Sequence, residues 1–279
     1  MAQKVAEHED PVQRAAARVG GVVAYRAPSD PMQVQVPTLL PLFIDVAAAE
    51  YLAPAQRCLD DCMILLHAYA QLAIPAQVRA VELVVINTST KSSVTHGSLS
   101  PQWEDDMIHG HTVVWLPTLG HLIDVTAEQF SEIAVLDAGP IIAGHTEFQP
   151  GSGAPEHIQV KRRNLLLTYT LAPMETTAAL LDHPVPRSDA ANYRRRGVNV
   201  ASAVVTILAS SLPKESVQLI PHKRAAALVE AVRDLPEHTT PTEDRRFLLL
   251  GPEGEQLVVQ LDQIPLPAGT PPVAVPELP

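Results

Sequence analysis

Apolar residues set two rhythms along the chain. Leu59, Cys62, Met63, Leu66, Tyr69 and Ala70 follow the i, i+3, i+4, i+7 spacing of a helix with one buried face. Pro75 is expected to end that helix after Ile74, because a residue before proline avoids the helical region. The rhythm then shortens. "VRAVELVVINTST" (78–90) is rich in Val and Ile and reads as a strand, followed by a loop of turn formers, "SVTHGSLSPQWEDD" (93–106). "MIHGHTVVWLP" (107–117) and "HLIDVT" (121–126) read as an antiparallel hairpin about "TLG". "AVLDAGPIIAG" (134–144) and "HIQVKRRNLLLTYTL" (157–171) supply further strands, separated by a Gly/Pro/Ser loop.

After Pro173 the helical rhythm returns. "ANYRRRGVNVASAVVTILASSL" (191–212) is the longest periodic helix and "HKRAAALVEAVRDL" (222–235) a second. "RRFLLLGPEGEQLVVQL" (245–261) predicts a closing hairpin around "GPEG", and the Pro-rich segment 265–279 an extended or disordered tail. One helix, a run of strands, then helices again defines an α+β chain rather than an alternating α/β one. Four segments are expected: an N-terminal arm (1–35), a core (36–173), a mainly helical C-terminal extension (174–264) and the tail. Within the core, residues 36–52 carry two prolines and should pack partly as helix.

Composition narrows the class. The 279 residues are 46% hydrophobic and 18% charged, which is globular and large enough for a sizeable core. A formal net charge of -11 argues against a nucleic-acid partner, and Arg194, Arg195 and Arg196 are too short a basic run to overturn that. That run is expected to be the solvated start of a helix. Two cysteines make no disulfide framework, the N-terminus has no apolar signal region, and no run of 18 apolar residues occurs. The expectation is a cytoplasmic protein that binds neither nucleic acid nor membrane; its oligomeric state is open.

Both cysteines lie in "RCLDDCMILLHAYAQLAIPAQ" (57–77), and the chemistry turns on them. A reactive thiol needs a base and something to orient it. Cys58 opens the predicted helix, where the dipole favours a thiolate. His111 and Asp124 fall on the two strands of the predicted hairpin. A carboxylate there can hold the imidazole by Nδ1 and leave Nε2 for the thiol. Cys62 belongs to the apolar stripe and reads as packing.

Cys58, the helix behind it and "LAIPAQ" resemble the "C…LGIPAR" element of the transglutaminase-like superfamily of papain-like cysteine enzymes. "GHTVVWLP" and "LIDVT" are similar to that family's "HAW" and "DPT" strands. Cys58 to Ile74 spans the 16 residues expected of the element, whereas Cys62 would leave the helix one turn short. The resemblance covers about residues 50–130. Thr112 and Val113 replace the small residue and Trp after the family's His, and Val125 replaces the Pro after its Asp. It implies a papain-like core, a nucleophile helix on an antiparallel sheet, and a triad of Cys58, His111 and Asp124. It also implies cysteine-dependent acyl transfer or amide/peptide hydrolysis through a thioester, on a peptide, protein or small acyl or amide substrate, with no cofactor. Gln56 is a candidate oxyanion donor by proximity alone.

Other readings use the same residues. His109 lies two positions from His111 and, on one continuous strand, would face the same side as an alternative base. Cys58, His109, His111 and His121 offer zinc-ligand chemistry, but without paired Cys-x-x-Cys spacing. A non-catalytic binding or assembly module on the same fold is the remaining alternative. Between the two histidines the hairpin decides. With "TLG" as the turn, Asp124 opposes Val114 on the wrong face; a shift of one residue brings it opposite Val113, within diagonal reach of His111.

Overall fold

The computed structural model describes residues 32–44, 57–136, 139–144, 156–233, 235, 237–238, 245–250 and 254–274. The described residues open with helix α1 (Met32–Leu39) and a 3-10 turn (Leu40–Phe43) that bury Val36, Leu40 and Phe43. Of the expected arm, residues 1–31 lie outside the described residues, as do 275–279 of the tail.

Helix α2 (Cys58–Gln71) differs from its predicted form in two ways. It ends at Gln71, three residues before Ile74, because Ala73 takes the left-handed conformation (φ 54°) and the Leu72, Ala73 and Ile74 amides turn back to the last carbonyls. It is also buried on every side except at Asp60. The cause is tertiary. One flank packs on the strands that follow, and the other on α6 (Ala190–Ser211), the long C-terminal helix. The segment 174–264 therefore shares a core with 36–173: Ile64, Leu65, Val114 and Ile123 belong to the same hydrophobic cluster as Val204, Leu228 and Phe247.

The sheet grows around β1 (Gln77–Asn87), whose 11 residues are long enough to serve two partners along one edge. β5 (His111–Leu116) pairs with Gln77–Val81, and β2 (Ser92–Gly97) takes over from Glu82 to Asn87. β2 corrects the expected loop over 93–106, and β3 (Gln102–Glu104) with β4 (Met107–His109) forms a small separate ribbon. On the other edge of β1 runs β9 (Leu165–Leu171), paired in turn to β8 (His157–Arg162). β6 (His121–Asp124) and β7 (Ile141–Gly144) extend the β5 side. β7 comes back to approach β8, so this antiparallel sheet is nearly closed. Its interior holds Val81, Leu83, Val113, Trp115, Leu122, Leu167 and Tyr169.

Short helices α3 (Ser131–Ala134), α4 (Met174–Leu181), α5 (Pro184–Ser188) and α7 (Lys214–Val217) connect the larger elements, with α8 (Lys223–Val232) packed on α6. The "GPEG" hairpin forms as β11 (Arg246–Leu250) and β12 (Gln256–Val259), with β10 (Glu237–His238) alongside. One expectation for this half changes: Arg196 is buried and bonded through Nε to Asn192 (3.0 Å) instead of solvated. Of the two forms expected for the tail, residues through 274 take an irregular, tethered course: Ala274 N donates to Ala70 O (3.2 Å), while Arg224 donates to both Gln71 O (2.7 Å) and Pro271 O (3.0 Å). Among the described residues no helix is long and apolar enough to cross a membrane.

Candidate functional site

The site forms where β5 begins. The register pairs Val81 with His111 and Glu82 with Gly97, so the end of β2 and the start of β5 meet head to tail along β1. Gly97 has φ +73°, and a Cβ built on it would lie 2.8 Å from the His111 Cβ and 2.4 Å from the Val81 carbonyl. His111 can occupy this corner because nothing larger than glycine stands beside it.

The β5–β6 hairpin pairs Val114 with Ile123. One further step sets Asp124 level with Val113, the one-residue offset considered from the sequence. His111 and Asp124 then share the face of Val113, Trp115 and Leu122, which is the interior of the curled sheet. Both are fully buried, with His111 Nε2 2.8 Å from Asp124 Oδ2. Tyr169 OH from β9 donates to the same carboxylate oxygen (3.0 Å), and the Thr126 amide donates to Oδ1 (3.1 Å). The expected ring orientation is reversed: Nε2, not Nδ1, takes the carboxylate. Interior placement explains this, since the distal end of the ring reaches farthest into the sheet, where Asp124 and Tyr169 lie.

Nδ1 is left at the strand end. Gly110 O, one residue before His111, lies 4.0 Å from Cys58 Sγ. Thr112 and Val114 are the β5 residues that face α2, so the thiol approaches the ring around the start of the strand, not across a sheet face. Burial of the imidazole disfavours its charge. The Asp124 carboxylate and the Cys58 thiol outweigh that, and its pKa is pushed up to about 10. Cys62, one turn along α2, is fully buried; desolvation drives its thiol pKa well above the ordinary range.

A second ring of residues closes over the imidazole. After β6 a 3-10 turn (Ala127–Gln129) runs into Phe130 and α3. Gln129 Nε2 lies 3.1 Å from His111 Nδ1 and 3.3 Å from Thr126 Oγ1. Phe130 meets the His111 ring edge-on at 5.1 Å and stacks on His96 of β2 at 3.9 Å. His96 in turn pairs with Glu132 at 3.3 Å. Cys58 itself is 4% exposed.

The other candidates separate. Gly110 breaks the expected continuous strand, so His109 sits on the β3–β4 ribbon, mostly exposed, with its Nε2 3.1 Å from Glu104. It does not face the site. His121 opens β6 and bonds through Nδ1 to Leu119 O (2.7 Å). Among the described residues no three His, Cys, Asp or Glu side chains are grouped to hold a metal ion. Gln56 lies outside the described residues. Sequence reasoning missed Gln129, Phe130 and Tyr169. For Tyr169 a signal existed, the strict alternation of "LLLTYTL", which turns Leu165, Leu167, Tyr169 and Leu171 inward.

Comparison with protein-family models, with curated proteins and with solved structures finds no match to this chain.

Proposed function

We propose that the chain is a cysteine-dependent enzyme of acyl transfer or amide/peptide hydrolysis, with a core of the transglutaminase-like, papain-like type. One observation carries this reading. A fully buried His111–Asp124 pair leaves a single ring nitrogen, and the thiol of Cys58, the first residue of a core helix, is near enough to help raise the pKa of that ring. An uncharged packing histidine has no use for a buried carboxylate held by three donors. α2 on an antiparallel sheet, with the Ile74-Pro75 turn behind it, agrees with the fold the sequence resemblance implies.

In the reaction, Cys58 Sγ passes its proton to Nδ1 and forms a bond to the substrate carbonyl carbon. The imidazolium, held through Nε2 by Asp124, then gives that proton to the leaving nitrogen or oxygen as its bond to carbon breaks. A thioester remains on Cys58 until water or an amine displaces it. Cys58 is the first residue of α2, where the helix dipole favours negative charge on the sulfur.

The test is acylation by p-nitrophenyl acetate followed by intact-mass and peptide analysis. One acetyl group on Cys58, absent in His111→Ala, is expected. Acetylation that ignores His111, or none on Cys58, would overturn the reading. The alternative, a non-catalytic binding or assembly module, draws on the enclosure of the trio: Cys58 is 4% exposed and His111 and Asp124 not at all. It predicts no acylation and no difference in alkylation between Cys58 and Cys62.

A further inference from the structure

We propose that Gln129 is an internal cap on the base, occupying the position of the leaving group, and that the Ala127–Ala134 segment must swing out before Cys58 can turn over. The inference rests on the reading of Cys58 as nucleophile and His111 as base.

The argument begins with Nδ1. With Nε2 committed to Asp124, Nδ1 is the only ring atom that can take a proton from the thiol or return it to a leaving group. It already has a partner. The Gln129 side-chain nitrogen lies 3.1 Å from Nδ1 and donates to Thr126 Oγ1 (3.3 Å). The Gln129 carboxamide thus fills the space beside Nδ1 that a leaving group must enter to receive the proton. No substrate can place its leaving nitrogen there while Gln129 stays.

Gln129 and any incoming group therefore compete for the space beside one atom, because the carboxamide stands 3.1 Å from Nδ1 and leaves no room for a leaving group there. The cap is held from outside by contacts on a different element. Phe130, the next residue, lies between the His111 edge and the His96 ring, and His96 pairs with Glu132 on the same segment. Glu128 accepts from the Gly139 amide at 2.7 Å and ties the segment's near end. His96 and Glu132 are the partly exposed members, 20% and 33%, so the latch is reachable from solvent where the base is not.

The experiment compares second-order rates of Cys58 alkylation by iodoacetamide at neutral pH in the full chain, with thermal midpoints recorded beside them. Gln129→Ala is expected to speed alkylation about five- to tenfold, the worth of one hydrogen bond that keeps the segment over the site. Phe130→Ala, which keeps Gln129 but loosens its anchor, should also accelerate it, by a smaller factor. An unchanged or slower rate in both variants overturns the proposal, and slowing in Gln129→Ala would make Gln129 a positioning residue instead. His111→Ala separates this failure from that of the proposed function. If His111→Ala slows Cys58 and the two cap variants do not speed it, the cap is wrong and the triad stands. If His111→Ala changes nothing, the triad reading itself has failed.

Discussion

Gly97→Ala adds one methyl group at the corner where β2 meets β5, and the structure sets what that methyl costs. Its carbon would fall 2.4 Å from Val81 O and 2.8 Å from the His111 Cβ, both fixed by the β1–β5 ladder. Neither neighbour is the free end of a flexible side chain. Relief to ordinary contact at 3.4 Å needs His111 to retreat by about 0.6 Å (3.4 − 2.8), or β2 to lift from β1. Alanine at φ +73° adds about 1–2 kcal/mol of backbone strain, and overpacking of this kind about 1–3 kcal/mol. The sum, about 2–5 kcal/mol, is a large share of the stability of any single chain. The same retreat would pull the ring off the 2.8 Å bond to Asp124, so chemistry should suffer with stability. The assay is urea denaturation followed by fluorescence, run beside Cys58 alkylation. A Gly97→Ala protein within 0.5 kcal/mol of the parent that alkylates Cys58 at the parental rate would refute the packing argument.

Two other outcomes follow from buried polar groups. Tyr169→Phe removes a donor from the Asp124 carboxylate and should lower stability by about 1.5–3 kcal/mol while His111 and the Thr126 amide keep it partly satisfied; a denaturation midpoint equal to the parent's would contradict this. His67, buried against α6 with the positive charge of Arg194 nearby, has its pKa pushed down from 6.5 to about 4. Because the unfolded chain takes up that proton first, stability present above about pH 6.5 should fall as pH drops and level off near 4, by at most about 3 kcal/mol. His67→Leu should flatten that part of the pH profile relative to the parent, and an unchanged slope would show that other groups set it.

The sequence announced the hairpin, α2 and the long α6, because each has a period that burial on a sheet or helix face enforces. It failed where tertiary placement overrides local pattern. "SSVTHG" has no apolar alternation, yet it forms β2 because β1 has six residues of unclaimed edge for it. His109 and His111 look equivalent until Gly110, where an added Cβ would fall 2.6 Å from the Pro101 Cβ, ends one ribbon and starts the next strand. α2 carries an apparent one-sided stripe, but α6, more than a hundred residues away, buries the other side. The meeting of His111 with Asp124 could be argued from turn offset alone. Which ring nitrogen Asp124 would take could not, since that depends on whether the imidazole points into the closed sheet or out toward α2. Gln129 lies in a 3-10 turn with no periodic signature, and nothing in "TAEQFS" distinguishes it from a surface residue.

The anchoring of α2 at both ends has a consequence for the order of events during synthesis. Cys58 leaves the ribosome early, followed by the strands that carry His111 and Asp124. Yet the carbonyl of Gln71 at the helix's far end waits for Arg224, 153 residues later, and that of Ala70 waits for Ala274. Contacts so distant in sequence form slowly and late. Until α6 is released, α2 has one flank uncovered, and its final turn stays untied until Arg224 and Ala274 follow. The setting of Cys58 is thus completed by residues far downstream, and a chain cut short before them carries the thiol without the scaffold that holds it still.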